Sequence, residues 1–166
     1  DVDTGQWHEW ESTSGNKFRG VYGVEYNGAA LIGDAANGYI YSLSLDVYTD
    51  AGVEITRVRR AQIINKEKVN VQHHQVEIEF EAGIGLNVGA AVDGYDPQAV
   101  LIWSDDGGNS WTSSNSVSMG KYQEYGVRSI WRRLGKSRNR IYELTIAEPV
   151  KTVIVNTYSD LEALKV

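Results

Sequence analysis

Residues 76–81 alternate without a break. Val76, Ile78 and Phe80 fall on one side of an extended chain, and Glu77, Glu79 and Glu81 on the other. A side-chain period of two, with one apolar and one charged face, specifies a half-buried antiparallel strand. Such a strand cannot bury its apolar face alone, so the fold must supply a second layer. Other segments offer one. Tyr142, Leu144 and Ile146 repeat the alternation within Arg138 to Ala147. Gln98 to Trp103 is apolar on both phases, as expected of an inner strand. Gly126 to Leu134 and Val150 to Tyr158 add two more strands, and Glu54 to Asn65 reads as one long mixed strand. Gly83 to Pro97 is a Gly-rich loop, and Asp160 to Lys165 reads as a single helical turn. With 17 Gly, 2 Pro, 5 Trp and 10 Tyr among 166 residues, the chain is turn-rich and aromatic-rich, a β profile. The expected class is all-β, with an antiparallel β-sandwich of jelly-roll-like character.

The first third has a different texture. Trp7 to Trp10, Phe18 to Tyr26, Ala29 to Gly33 and Tyr39 to Leu43 read as four short strands. The tight-turn dipeptide Asn27-Gly28 and the turn Asp34 to Gly38 separate the last three. Four strands in such a span match one blade of a β-propeller. Charge divides the chain similarly: residues 1–53 hold 2 basic and 8 acidic side chains, whereas residues 54–166 hold 14 of each. Two units are expected, a blade-like segment over 1–46 and a sandwich over 47–166, joined by the turn-rich stretch Val47 to Gly52. The chain begins at Asp1 in a stretch that already carries strand and turn features, and is expected to be the C-terminal part of something longer.

Several chemistries lack their residues. Without Cys there is no disulfide framework, thiol nucleophile or Cys-based zinc site. His73 and His74 are neighbours on a strand, point to opposite faces and cannot chelate one ion together. His74 shares the phase of Val76 and Ile78, which makes it the inward one of the pair. Glu77, Glu79 and Glu81 share a face but read as solvated, with no paired-carboxylate cleft around them. Nucleophile elbows, phosphate-cradling loops and dinucleotide fingerprints are absent. No apolar run approaches the ~18 residues of a membrane-spanning helix, and no membrane partner is expected. The chain is read as a non-enzyme without cofactor or metal.

Two features remain. Ser104-Asp105-Asp106-Gly107-Gly108-Asn109-Ser110-Trp111 fits the Asp-box pattern Ser-x-Asp-x-Gly-x-Ser/Thr-Trp. Its physics is structural. Asp106 can accept the N–H groups that close the turn, Gly108 can take positive φ, and Trp111 can pack back over the hairpin with Ser104 and Ser110 beside it. The second feature is charge. Arg57 and Arg59 share one face of a strand, with Arg60 opposite. Arg128, Arg132, Arg133, Lys136, Arg138 and Arg140 put six cations into 13 residues around the turn Leu134 to Ser137. Scattered surface ion pairs, contact with an acidic protein surface and contact with DNA phosphate all fit such a cluster. Arg132, Arg133, Lys136, Arg138 and Arg140 are the candidate interface, with Trp131 assigned to the core.

The order of several motifs resembles a known family. These are Leu31-Ile32-Gly33-Asp34-x-x-Asn37-Gly38-x-Ile40-Tyr41, Tyr48-Thr49-Asp50-x-Gly52, the Asp-box run from Trp103, Ile130-Trp131-Arg132-Arg133-Leu134-Gly135 and Pro149-Val150-Lys151. Together, over roughly residues 7–154, they resemble the C-terminal portion of the phage packaged-DNA stabilisation proteins, the tail hub or head-closure proteins of short-tailed phages. The resemblance implies a propeller followed by a β-domain, in a virion tail protein assembled in the host bacterial cytoplasm. It implies homo-oligomeric rings that close the DNA exit channel below the portal and its adaptor, and that offer sites for a tail spike or fibre and a plug. Packaged DNA would lie nearby. The alternative from the residues alone is a carbohydrate-binding or sialidase-like accessory domain. That reading needs Trp7, Trp10, Trp103 and Trp111 exposed on a common face.

Overall fold

The computed structural model describes residues 5, 7, 10–12, 17–66 and 69–164. The expected strand Trp7 to Trp10 includes residues 8 and 9 and so falls partly outside them. The chain divides into two compact units, Asp1–Ile55 and Thr56–Val166.

In the first unit, β1 (Gly20–Tyr26), β2 (Ala29–Asp34) and β3 (Ile40–Leu43) form an antiparallel meander. Asn27 and Gly28 both have positive φ, at 51° and 76°, the mirror-image turn whose twist suits a two-residue hairpin. A second hairpin, β4 (Thr49–Asp50) with β5 (Val53–Glu54), turns through Ala51 and Gly52 in the same way. This hairpin occupies the stretch read as a connector, and the division of the chain falls after it, at Ile55/Thr56 rather than at 46/47. Tyr22, Val24, Tyr26, Tyr39 and Ile40 are all exposed on the small sheet.

The second unit is a sandwich of two antiparallel sheets. One contains β6 (Arg57–Arg60), β7 (Ile64–Asn65), β9 (Gln98–Ser104), β10 (Asn115–Ser118) and β13 (Asn139–Ile146), in the order β10-β9-β13-β6, with β7 continuing beside β13. The other places β8 (Val71–Phe80) between β14 (Ile154–Ala163) and, along its opposite edge, β11 (Ser129–Arg132) and β12 (Lys136–Ser137). The inner faces meet in one core of Val76, Ile78, Phe80, Ala99, Leu101, Met119, Trp131, Leu134, Tyr142, Leu144 and Ile146. Every second residue of β13 is buried, the alternation read from its sequence.

Three expectations need correction. The long strand Glu54 to Asn65 is broken into β5, β6 and β7 and runs beside β13 in two pieces. Asp160 to Ala163 is strand, not helix: these residues pair with Gln75 to Val71 of β8, so tertiary pairing overrides a short local preference. Of the two adjacent histidines, His73 is the buried one and His74 is exposed. Opposite them Asp160 pairs with Gln75 and Leu161 with His73, which leaves His74 as the extra residue of a bulge. The bulge shifts the strand phase by one, so the period of 76–80 does not extend back to 73.

Candidate functional site

The Asp-box hairpin joins β9 to β10. Ser104 Oγ donates to Asp106 Oδ1 at 2.7 Å and accepts the Gly108 N–H at 2.8 Å. Asp106 Oδ1 also accepts the N–H groups of Asn109 and Ser110, each at 2.9 Å, and Oδ2 accepts the Ser110 hydroxyl at 2.6 Å. The Ser110 hydroxyl and N–H, then Ser104 and Asn109, hold the Asp106 carboxyl well below the usual carboxylate range. Gly107 and Gly108 have φ of 78° and 98°. The Arg60 guanidinium lies 5.0 Å from the Trp111 ring centroid and is ion-paired with Glu143. The hydrogen bonds of Ser104, Asp106 and Ser110 all close on the turn itself, so the motif is occupied with holding its own loop.

Its second residue reaches inward. Asp105 takes a two-pronged ion pair from Arg140, Nε to Oδ1 at 2.6 Å and Nη2 to Oδ2 at 2.7 Å. Arg140 is 1% exposed, in the core phase of β13 with Tyr142, Leu144 and Ile146. Its third prong, Nη1, donates to the Leu134 carbonyl at 2.6 Å. The guanidinium also lies 5.2 Å from the Trp103 ring and 5.8 Å from that of Tyr142. Burial works against the charge, but the hydrogen bonds of Asp105 and Tyr142 outweigh it, and the net shift is upward. Arg140 is therefore a structural cation and leaves the candidate interface. The signal was in the sequence: it stands two residues before Tyr142, in the buried phase.

His73 completes this buried network. It is 0% exposed, with Nδ1 2.8 Å from the Tyr142 hydroxyl and Nε2 3.1 Å from Ser137 Oγ. Burial, then the positive charge of Arg140, pull its pKa down to about 4, against a smaller opposing pull from Asp105. Burial raises that of Tyr142, which stays protonated and donates to Nδ1. A neutral His73 carries its proton on Nε2 and donates it to Ser137. The unfolded chain takes up this proton near pH 6.5 and the folded chain only near pH 4. Stability is therefore whole above pH 6.5 and falls as the pH drops towards 4, by about 3 kcal/mol for this group. Denaturant titrations at pH 7 and pH 4 measure that loss. His73→Gln should flatten the pH dependence even though it lowers stability at pH 7.

The remaining basic candidates lie on the line that β11 and β12 draw along β8. Trp131, Leu134, Ser137 and Arg140 are buried, and the two residues between each of them are exposed. This period of three belongs to neither strand nor helix. It arises from a bulge. Arg133 has φ of 59°, its N–H donates to His74 O at 2.9 Å, and the His73 N–H donates to Gly135 O at 2.8 Å. The bulge turns Arg132 and Arg133 outward as consecutive residues, with Lys136 and Arg138 following. Arg140 clamps the bulge from beneath through Leu134, and the Trp131 indole N–H donates to Asn115 O at 2.8 Å. The basic turn is thus held from inside by the ion pair that anchors the Asp-box hairpin. Arg128 is engaged differently. It forms a two-pronged pair at 2.7 and 2.6 Å with Glu77, which is only 9% exposed rather than fully solvated.

The tryptophans do not share a face. Trp103 packs on the core beside Tyr142, whereas Trp111 lies with Arg60 and Glu143 on the opposite side of the same sheet. Trp7 and Trp10, 99% and 58% exposed, belong to the first unit. Among the described residues no group of three or more His, Asp or Glu is placed to hold a metal ion, and no helix is long and apolar enough to cross a membrane.

The second unit is thus a two-sheet sandwich whose buried polar network braces its own loops and whose basic turn presents a row of exposed cations. Residues 56–162, more than half of the chain, match the family model described as Bacteriophage P22 Gp10, beta-sandwich, and the chain belongs to that family. It is a phage structural protein of the tail-hub type, and the matched residues are the β-sandwich of that family. No curated protein matches the chain.

Proposed function

We propose that the protein acts as a tail hub and head-closure subunit that stabilises packaged DNA and joins the portal–adaptor complex to tail parts. The observation that carries this reading is the braced basic turn, set in a sandwich of a phage structural family. Four cations, Arg132, Arg133, Lys136 and Arg138, project from a backbone held by Arg140 and Trp131. Pre-ordered charge of this kind suits contact with an acidic surface of another virion protein, because little side-chain backing has to be organised on binding. Copies joined by heterologous contacts form a ring when the rotation closes. A ring engages its partner many times at once, so each contact can be weak. Binding only the filled, closed particle then stabilises it by mass action. The blade-like first unit, with its exposed aromatic sheet, fits a place in a larger propeller of the same protein. Assembly in the host cytoplasm into the virion tail follows from the same role.

The test reverses the turn's charge, Arg132→Glu with Arg133→Glu, in the full-length hub protein. Particles assembled with it should retain markedly less nuclease-protected DNA, at an unchanged melting temperature of the isolated variant. Full protection would move the domain to the periphery of the tail.

A further inference from the structure

The sheet built on β8 carries opposite charges at its two edges. Residues paired directly across an antiparallel ladder project from the same face. Gln72 and Gln75 of β8 lie on the outer face, because the neighbouring His73 and Val76 are buried. Gln72 pairs with Lys136 of β12 on one side and with Glu162 of β14 on the other. Gln75 stands in the same way between Arg132 of β11 and Asp160 of β14. In the next row Glu77 stands between the half-buried Ile130 and the exposed Tyr158. Two rows thus run cation, amide, carboxylate, and the third is apolar or aromatic at both ends. The edges are two strand spacings apart, about 10 Å, with the glutamines between them. Among the described residues Arg132, Arg133, Lys136 and Arg138 form no side-chain hydrogen bond or ion pair, whereas Arg60, Arg128, Arg140 and Lys151 are all ion-paired. Asp160 is exposed and has no such partner among the described residues either. Glu162 lies 3.2 Å from His74 Nε2 and keeps its side chain 65% exposed.

We propose that the basic edge of one copy of this chain docks on the acidic β14 edge of a second copy. The proposal rests on reading the basic turn as a contact surface, and it names the acidic surface that the turn meets. With the rows of two copies in register, Lys136 of one faces Glu162 of the other, Arg132 faces Asp160, and Ile130 faces Tyr158. A second copy is favoured over an unrelated acidic protein because its edge supplies the complementary group in each of these successive rows. Within one chain the two edges cannot satisfy each other, since β8 separates them. The long side chains of Arg, Lys and Glu span the junction, and no main-chain pairing is required. The two patches are different surfaces, so the contact is heterologous and each copy keeps one patch for its next neighbour. Exposed ion pairs are individually weak and screened by salt, so a single junction is weak and a repeated one is not.

Sedimentation of the chain at increasing concentration should show an average mass that rises, and that falls back when salt is added. Arg132→Glu with Arg133→Glu, and separately Asp160→Lys with Glu162→Lys, should each weaken this association by about tenfold or more. An equimolar mixture of the two variants should recover it, because every junction between unlike copies again joins opposite charges. Carbodiimide coupling in a mixture of isotope-labelled and unlabelled chain gives a readout that needs no variant. A cross-link from Lys136 to Asp160 or Glu162 should join labelled to unlabelled copies. That result decides alone if circular dichroism melting shows that a reversed variant has not folded. Association that neither reversal weakens overturns the proposal, as does a mixture of folded variants that stays apart. So does an unmodified chain with neither association nor a cross-link between copies. If particles carrying Arg132→Glu with Arg133→Glu nevertheless lose packaged DNA, the turn meets a different virion protein, so the reading of the turn and its pairing with a second copy fail separately.

Discussion

Asp105→Ala should lower the unfolding free energy of the sandwich by about 3 kcal/mol, although Asp105 itself lies at the surface. The loss would come from its partner. Arg140 is buried, and its Nε and Nη2 both donate to the Asp105 carboxylate. Removing that carboxylate leaves a cation in the core that still donates to Leu134 O but has lost its counter-charge. The figure sits at the low end for a broken buried pair because the outer side of Asp105 is in contact with water, which screens it. Replacing both residues, Asp105→Ala with Arg140→Met, should recover much of the loss, since no charge is then stranded. Chemical denaturation of the four proteins completes the cycle. A loss below about 0.5 kcal/mol for Asp105→Ala would show that the pair behaves as a surface contact.

Trp131→Ala should cost about 3–5 kcal/mol, the usual range for deleting a large aromatic from a core. Trp131 is 1% exposed and sits in the central cluster between the sheets. Its indole N–H is also one of the two hydrogen bonds that lace β11 to β10. Trp131→Phe retains most of the packing and gives up that bond, so it should cost much less. Hydrogen exchange separates the two contributions: in Trp131→Phe the amides of Asn115 to Ser118 should exchange faster while those of β8 keep their protection. Loss of protection throughout would mean that the ring volume, not the hydrogen bond, holds the closed side of the sandwich.

The strands that follow a clean period are legible in the sequence. Val76, Ile78 and Phe80, and Tyr142, Leu144 and Ile146, lie in the core as their alternation requires. The Asn27-Gly28 turn has the positive φ values its residue types favour. Legibility ends where the backbone adds a residue. One bulge at His74 reverses which of two adjacent histidines is buried, and a second at Arg133 produces a period of three that no local rule anticipates. The bulge at His74 has no marker such as Gly or Pro, so the partner strand alone sets the register there, whereas the second contains Gly135 at φ 78°, a marker that shows a turn but not which residues it turns outward. β10 and β12 escape a reading by pattern for a related reason: Asn115–Ser118 and Lys136–Ser137 are short and polar, and become strands only because β9 and β8 lie alongside.

The candidate site divides in the same way. That residues 129–140 carry a concentration of positive charge, and that residues 104–111 form a self-bonded turn, follows from residue type and spacing, which are local properties. That Arg140 belongs to the core while its neighbours face solvent depends on which strand face meets the opposing sheet. A charge cluster in sequence is one-dimensional, whereas burial is decided by what packs on each face. The coupling of the Asp-box hairpin to the basic turn through Asp105, Arg140 and Leu134 joins residues 35 and 6 positions apart. That Arg132 and Asp160 share a row across β8 depends on strand pairings that no local pattern shows. The sequence by itself determined the β class, the strand phases within unbroken periods and the tight turns, because neighbouring side chains and backbone torsions suffice for those. The tertiary structure alone decided which cations serve the core and which face solvent, because only long-range packing distributes water between two faces of the same strand.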